Sequence, residues 1–130
     1  KLVLVAHAPL ATALKTVAAH VFPEAALAIE AVDIGPDDTP DEVEADLRQC
    51  IGDADALLLC DALGATPYNA AQRLRAVGGE GRIRVVSGVN VPMLWRVLCF
   101  ATEPLDQLAK RALDGGVKGI ASDDDPALPP

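Results

Sequence analysis

The chain has 130 residues, 51% hydrophobic and 23% charged, and its 19 acidic against 11 basic residues leave a formal charge of −8. That is one domain's length, enough to bury a core, and the composition is unlike that of disordered chains. The negative balance argues against nucleic-acid binding, which runs on phosphate neutralisation by Lys and Arg, and against docking on an anionic membrane surface.

The pattern alternates strand and helix. Leu2-Val3-Leu4-Val5-Ala6 is an unbroken apolar run, the mark of a strand buried on both faces. Residues 11–21 are Ala-rich and read as a helix, and residues 26–34 as a second strand, closed by turn chemistry at Gly35-Pro36-Asp37-Asp38. Thr39-Pro40-Asp41-Glu42 has the form of a capping box, with Thr39 as N-cap and Pro40 at the first helical position. Val43, Leu47, Cys50 and Ile51 then share one helical face. Residues 54–60 form a third strand and residues 67–77 a third helix, stopped by Gly78-Gly79. Residues 82–87 are a fourth strand and 91–101 a fourth helix. Leu105, Leu108, Ala109, Ala112 and Leu113 make a fifth apolar face, which Gly115-Gly116 is expected to break before a last short strand at 117–121. From Ser122 the chain is acidic and Pro-rich and reads as a disordered tail, leaving 1–121 as one domain.

Alternation of this kind implies an α/β fold, a single doubly wound, mostly parallel sheet with helices on both faces. The common strand order for a small domain of this class is 2-1-3-4, which is the order expected here. Residues 91–101 carry Arg96 and fall short of the roughly 18 apolar residues a membrane span needs. No secretory signal is read at the start, and Cys50, Cys60 and Cys99 form no CxxC pair. A reduced, cytoplasmic compartment is the simplest expectation.

His7 directly follows the first apolar run, and Asp61 the third. In the expected order those strands are neighbours, about 4.8 Å apart, with ligands bound at their carboxyl ends. A carboxylate beside an imidazole fixes one ring nitrogen as the protonated one and leaves the other free as a nucleophile. Asp61 is followed by Ala62-Leu63-Gly64-Ala65-Thr66-Pro67, in which Thr66 reads as an N-cap and Pro67 as the first helical residue. Exposed backbone N–H groups at such a helix start, with Gly64, Ala65 and the Thr66 hydroxyl, suit a phosphoryl group. This is the minimum equipment for reversible phosphoryl transfer through histidine. No metal or other cofactor is invoked, because these segments hold no second carboxylate or basic clamp.

Other residues carry plainer readings. His20, near the end of the first helix, is a structural or solvated histidine that complements the helix dipole. Asn90 reads as the cap of the fourth helix and the cysteines as core filling. Met93, Leu94, Trp95 and Leu98 form an apolar surface for core and a subunit interface. A response-regulator receiver would need paired acidic residues after the first strand, where this chain has Ala6-His7-Ala8-Pro9.

Three segments, LVLVAHA, LLLCDALGATPYNAA and VVSGVNVPML, in this order and spacing, resemble the enzyme IIA component of the mannose-family sugar phosphotransferase system. The resemblance extends over nearly all of residues 1–121. It implies that His7 accepts a phosphoryl group from the phosphocarrier protein HPr and passes it to a histidine of a IIB partner. It further implies that Asp61 holds the other ring nitrogen and that Gly64 to Thr66 bind the phosphoryl oxygens. Members of the family are homodimers in which the last short strand can be exchanged as an antiparallel edge. Two positions depart from the family pattern: Ala65 replaces the second Gly of a Gly-Gly pair, and Ala8-Pro9 follows His7 where Gly is usual. Free-standing domains of this kind also act as regulators whose binding to a non-transport protein depends on phosphorylation. The phosphoryl-carrying domain of the dihydroxyacetone kinase system shares the fold, but the Gly-Ala-Thr-Pro-Tyr-Asn and Gly-Val-Asn-Val-Pro-Met stretches fit the sugar family better.

Overall fold

The structure, a computed structural model, describes residues 1–124. The four apolar runs become four strands, β1 (Leu2–His7), β2 (Glu30–Ile34), β3 (Ala56–Cys60) and β4 (Ile83–Val86). All pairings are parallel, in the order β2-β1-β3-β4, which is the expected order. β1 shows why its run is unbroken: Leu4 and Ala6 face one half of the core, Val3 and Val5 the other. The first half is covered by α1 (Leu10–Val21), the short α2 (Pro23–Ala26), α5 (Val91–Cys99) and α6 (Leu105–Lys118). The second half is covered by α3 (Pro40–Ile51) and α4 (Thr66–Leu74). With all five of its residues buried, β3 has the interior position its composition demands.

Most boundaries shift by one to three residues. The larger departures have identifiable causes. The segment expected to open the second strand holds the end of α2, a single turn started by Pro23, and the turn that follows it, and β2 begins only at Glu30. Past Leu74 the third helix loosens into a wide turn over residues 75–79, in which Gly78 takes φ +90°, a conformation that favours glycine.

The strand expected at 117–121 is absent; α6 instead runs unbroken through Gly115 and Gly116 to Lys118. These glycines do not stop the helix because they serve packing. A Cβ at Gly115 would lie 2.6 Å from Arg96 Cβ, and one at Gly119 would lie 2.4 Å from Pro92 Cβ. The end of α6 therefore lies close against α5 at Gly115, Gly116 and Gly119. Among the described residues no fifth strand pairs with β4. Of the tail expected from residue 122, residues 125–130 lie outside the described part of the chain. No helix among the described residues is long and apolar enough to cross a membrane.

The cysteines are not uniformly core residues: Cys60 is buried, Cys50 half-buried and Cys99 exposed. Burial, reinforced by the neighbouring Asp61 charge, pushes the Cys60 thiol up to about 12. It remains protonated and unreactive beside the site.

Candidate active site

β1 and β3 are adjacent, with Val5 opposite Cys60, so the residues that follow those two positions meet at the carboxyl end of the sheet. The His7 backbone N–H donates to Asp61 Oδ2 at 2.9 Å, and His7 Nδ1 lies 2.7 Å from the same oxygen. Asp61 Oδ1 accepts from the Ala62 N–H at 2.8 Å. One carboxylate thus holds both the backbone and the ring of His7 while being held from its own side. A carboxylate only accepts, so in the neutral ring Nδ1 carries the proton and Nε2 keeps its lone pair. The His7 side chain is 55% exposed and that of Asp61 only 12%: the ring faces solvent and the carboxylate that holds it largely does not.

Burial pushes the Asp61 carboxyl up, but the hydrogen bonds from the His7 backbone, the His7 ring and Ala62 outweigh it and hold the group below its ordinary value. A carboxyl depressed in the fold stabilises the protein above its unfolded value of about 3.9, and that contribution is lost as pH falls through the folded value. Urea midpoints measured from about pH 6 down to pH 3 should therefore fall more steeply for the wild type than for Asp61→Asn. Equal slopes would show that the pair stabilises nothing.

The loop after Asp61 is shaped by Gly64, whose φ of +81° is available at little cost only to glycine. Ala65 has φ −81° and ψ 169°, an extended conformation open to any residue, so the missing second glycine costs the loop nothing. The cap differs from expectation: Ala65 occupies the N-cap position of α4 and Thr66 the first helical turn, without a side-chain cap bond. α4 thus begins with no side-chain acceptor of its own at the first-turn N–H groups, on the loop that directly follows Asp61. Sequence reasoning assigned no role to Asn69, whose Nδ2 donates to the Gly64 carbonyl at 3.0 Å and so braces the turn. Its position after Thr66-Pro67 was the available signal.

Asn90 behaves as a cap: its Oδ1 accepts from the Met93 N–H at 2.9 Å, and its Nδ2 donates to the Gly116 carbonyl at 3.0 Å. The Val89 N–H donates to the Cys60 carbonyl at 3.0 Å, tying this loop to the end of β3. His20 is exposed in the last turn of α1, away from the site. Among the described residues no group of three or more His, Cys, Asp or Glu side chains is placed to hold a metal ion.

The family model described as "PTS system fructose IIA component" matches residues 1–112. The chain belongs to this family. A solved mannose/sorbose-specific IIA subunit from Enterococcus faecalis is similar at 26% identity, with 99% of this chain and 98% of that one covered and a TM-score of 0.85. The component EIIA structure from Streptococcus agalactiae shares the fold at TM-score 0.85 and 24% identity, covering 94% of this chain and 95% of that one. So does the IIA protein associated with a fucose utilisation operon in Streptococcus pneumoniae, at TM-score 0.78 and 14% identity over 93% and 90% of the two chains. Within this IIA chain, His7 and Asp61 meet in direct contact, and Gly64, Ala65 and Thr66 lie on the loop between Asp61 and the body of α4.

Proposed function

We propose that this IIA chain is a phosphocarrier. His7 Nε2 attacks the phosphorus of a phosphohistidine on HPr, the new P–N bond forms as the donor's P–N bond breaks, and the group later leaves to a histidine of a IIB partner. The observation that carries the reading is the Asp61 carboxylate on His7 Nδ1 at 2.7 Å, which in the neutral ring places the proton on Nδ1 and the lone pair on Nε2 of an exposed side chain. The phosphoryl group brings close to two negative charges. Asp61 would repel it were its Oδ2 not already taken up by two His7 groups. The uncapped first turn of α4 offers backbone N–H groups and the positive end of a helix dipole to the phosphoryl oxygens. Gly64, Ala65 and Thr66 are the proposed phosphoryl-binding residues. Because donor, carrier and acceptor are all phosphohistidines, the transfers are nearly balanced and reversible.

Exposed Leu10 and Leu63, just after His7 and Asp61 in the chain, give a partner protein apolar ground near the site. The reading places the protein in the cytoplasm with its donors, with residues 1–121 as the IIA domain. The test is mass spectrometry after incubation with phosphoenolpyruvate, enzyme I and HPr, with alkaline handling that preserves phosphohistidine. A single added phosphoryl group on the peptide containing His7 is expected; an unmodified chain would refute the proposal.

The same reading includes a homodimer. Leu113, Val117 and Ile120 are exposed at helical spacing along and just past α6, on the element that packs against β4 at the sheet edge. A second copy packing there would bury this stripe. Sedimentation should give a dimer for the wild type and a monomer for the doubly substituted Leu113→Glu, Val117→Glu chain. A monomeric wild type would refute this arrangement.

A further inference from the structure

Four helices, α1, α3, α4 and α5, start at the carboxyl end of the sheet, and their first turns are held differently; α3 is capped by its own Thr39. α5 is capped by its own Asn90, and α4 has no side-chain cap. α1 has Pro9 at its N-cap position, which supplies no side-chain acceptor. Its first turn is held instead from the neighbouring strand β2. Asp33 Oδ1 accepts from the Thr12 backbone N–H at 3.2 Å, and Asp33 Oδ2 accepts from the Thr12 hydroxyl. Asp33 stands opposite Ala6 in the β1–β2 register, and the Ala8 N–H donates to the Ile34 carbonyl at 2.9 Å. The turn that carries His7 is therefore fixed from β3 by Asp61, from β2 by Ile34, and from β2 again by Asp33 acting through Thr12.

We propose that Asp33 is a positioning residue for phosphoryl transfer at His7. By pinning the first turn of α1 it pins the His7-Ala8-Pro9 turn, so that the ring keeps its contact with Asp61 and presents Nε2 to the donor. Its carboxylate also occupies the positive end of α1, where an anion would otherwise be attracted. The uncapped start of α4 is then left for the transferred group. The inference rests on the reading of His7 as the phosphoryl acceptor. Nothing local in the sequence links Asp33 to Thr12, since the two lie on different elements 21 residues apart.

The experiment combines two measurements on the intact chain and on Asp33→Ala, Thr12→Ala and Asp33→Asn. The first is single-turnover transfer from phosphorylated HPr at varied HPr concentration. The second is the nitrogen-15 NMR signature of the His7 ring in the unphosphorylated proteins, assigned with His20→Ala. Asp33→Ala and Thr12→Ala should lower the limiting rate about 10- to 100-fold, as expected for a slightly misplaced nucleophile, with the half-saturating HPr concentration within about 2-fold of wild type. Their His7 signals should shift toward a mixture of ring tautomers. Asp33→Asn keeps an oxygen for the Thr12 N–H and an amide for its hydroxyl, and should recover the rate to within about 3-fold and the ring signature with it. A wild-type rate and ring signature in Asp33→Ala would overturn the proposal, as would Asp33→Asn being as slow as Asp33→Ala. Failure of the wild type to accept a phosphoryl group would instead overturn the reading of His7, and the ring signature would still decide whether Asp33 positions it.

Discussion

His7→Ala is expected to abolish labelling by phosphorylated HPr, while His20→Ala leaves it at the wild-type level. The chain has only these two histidines, so the pair of variants forms a complete test of where a phosphohistidine can form. The contrast rests on environment. His7 is exposed and carries the half-buried Asp61 carboxylate on Nδ1, and the loop that follows Asp61 leads into the uncapped start of α4. His20 sits in the last turn of α1, where the helix dipole presents negative charge and would repel a phosphoryl group. Because His7 is exposed and lies at a strand end, its truncation should leave the fold intact, and circular dichroism would verify that. Radiolabel persisting on His7→Ala, or lost from His20→Ala, would defeat the assignment.

The second large effect concerns the seam between α5 and α6. Gly115→Val should lower stability by about 1–3 kcal/mol, the usual cost of overpacking. Helix propensity alone gives the opposite sign, since replacing a glycine inside a helix gains up to about 1 kcal/mol. The clash decides the outcome. A Cβ at Gly115 meets Arg96 Cβ at 2.6 Å and Cγ at 2.9 Å, and Arg96 Cβ is fixed to the α5 backbone and cannot rotate away. Gly116→Ala should be far milder, because the nearest atom, 2.7 Å away, is the mobile methyl tip of Met93. Urea midpoints for the two variants check this. A Gly115→Val chain as stable as the wild type would show that the helices have room to separate.

The same seam explains what could and could not be read from the sequence. The strands were legible because a run such as Leu2-Val3-Leu4-Val5-Ala6 has few alternatives to a doubly covered strand. The meeting of His7 and Asp61 was legible because both residues end such runs, and the 2-1-3-4 order makes those runs neighbours. Gly115-Gly116 was ambiguous. A glycine pair stops one helix and lets another approach closely, and only the partner across the contact, here Arg96 and Met93, separates the two cases. Thr66 was misplaced by one position because Ala65, which offers no side-chain oxygen, holds the cap site. Asn69 had only its position after Thr66-Pro67 to mark it, and Asp33 acts between two elements, where no periodicity or spacing rule applies.

The route of α6 has a practical consequence for anyone building on this scaffold. The Gly116 carbonyl meets Asn90 at the start of α5, so the chain leaves α6 at the carboxyl end of the sheet, on the side of His7. The Lys1 main-chain nitrogen instead donates to the Asp55 carbonyl at the opposite end. On the proposed function, a fluorophore or affinity handle inserted directly after Lys118 would sit at the pole where the phosphoryl donor approaches His7. The same insertion beside Lys1 would sit at the far pole and leave that approach clear.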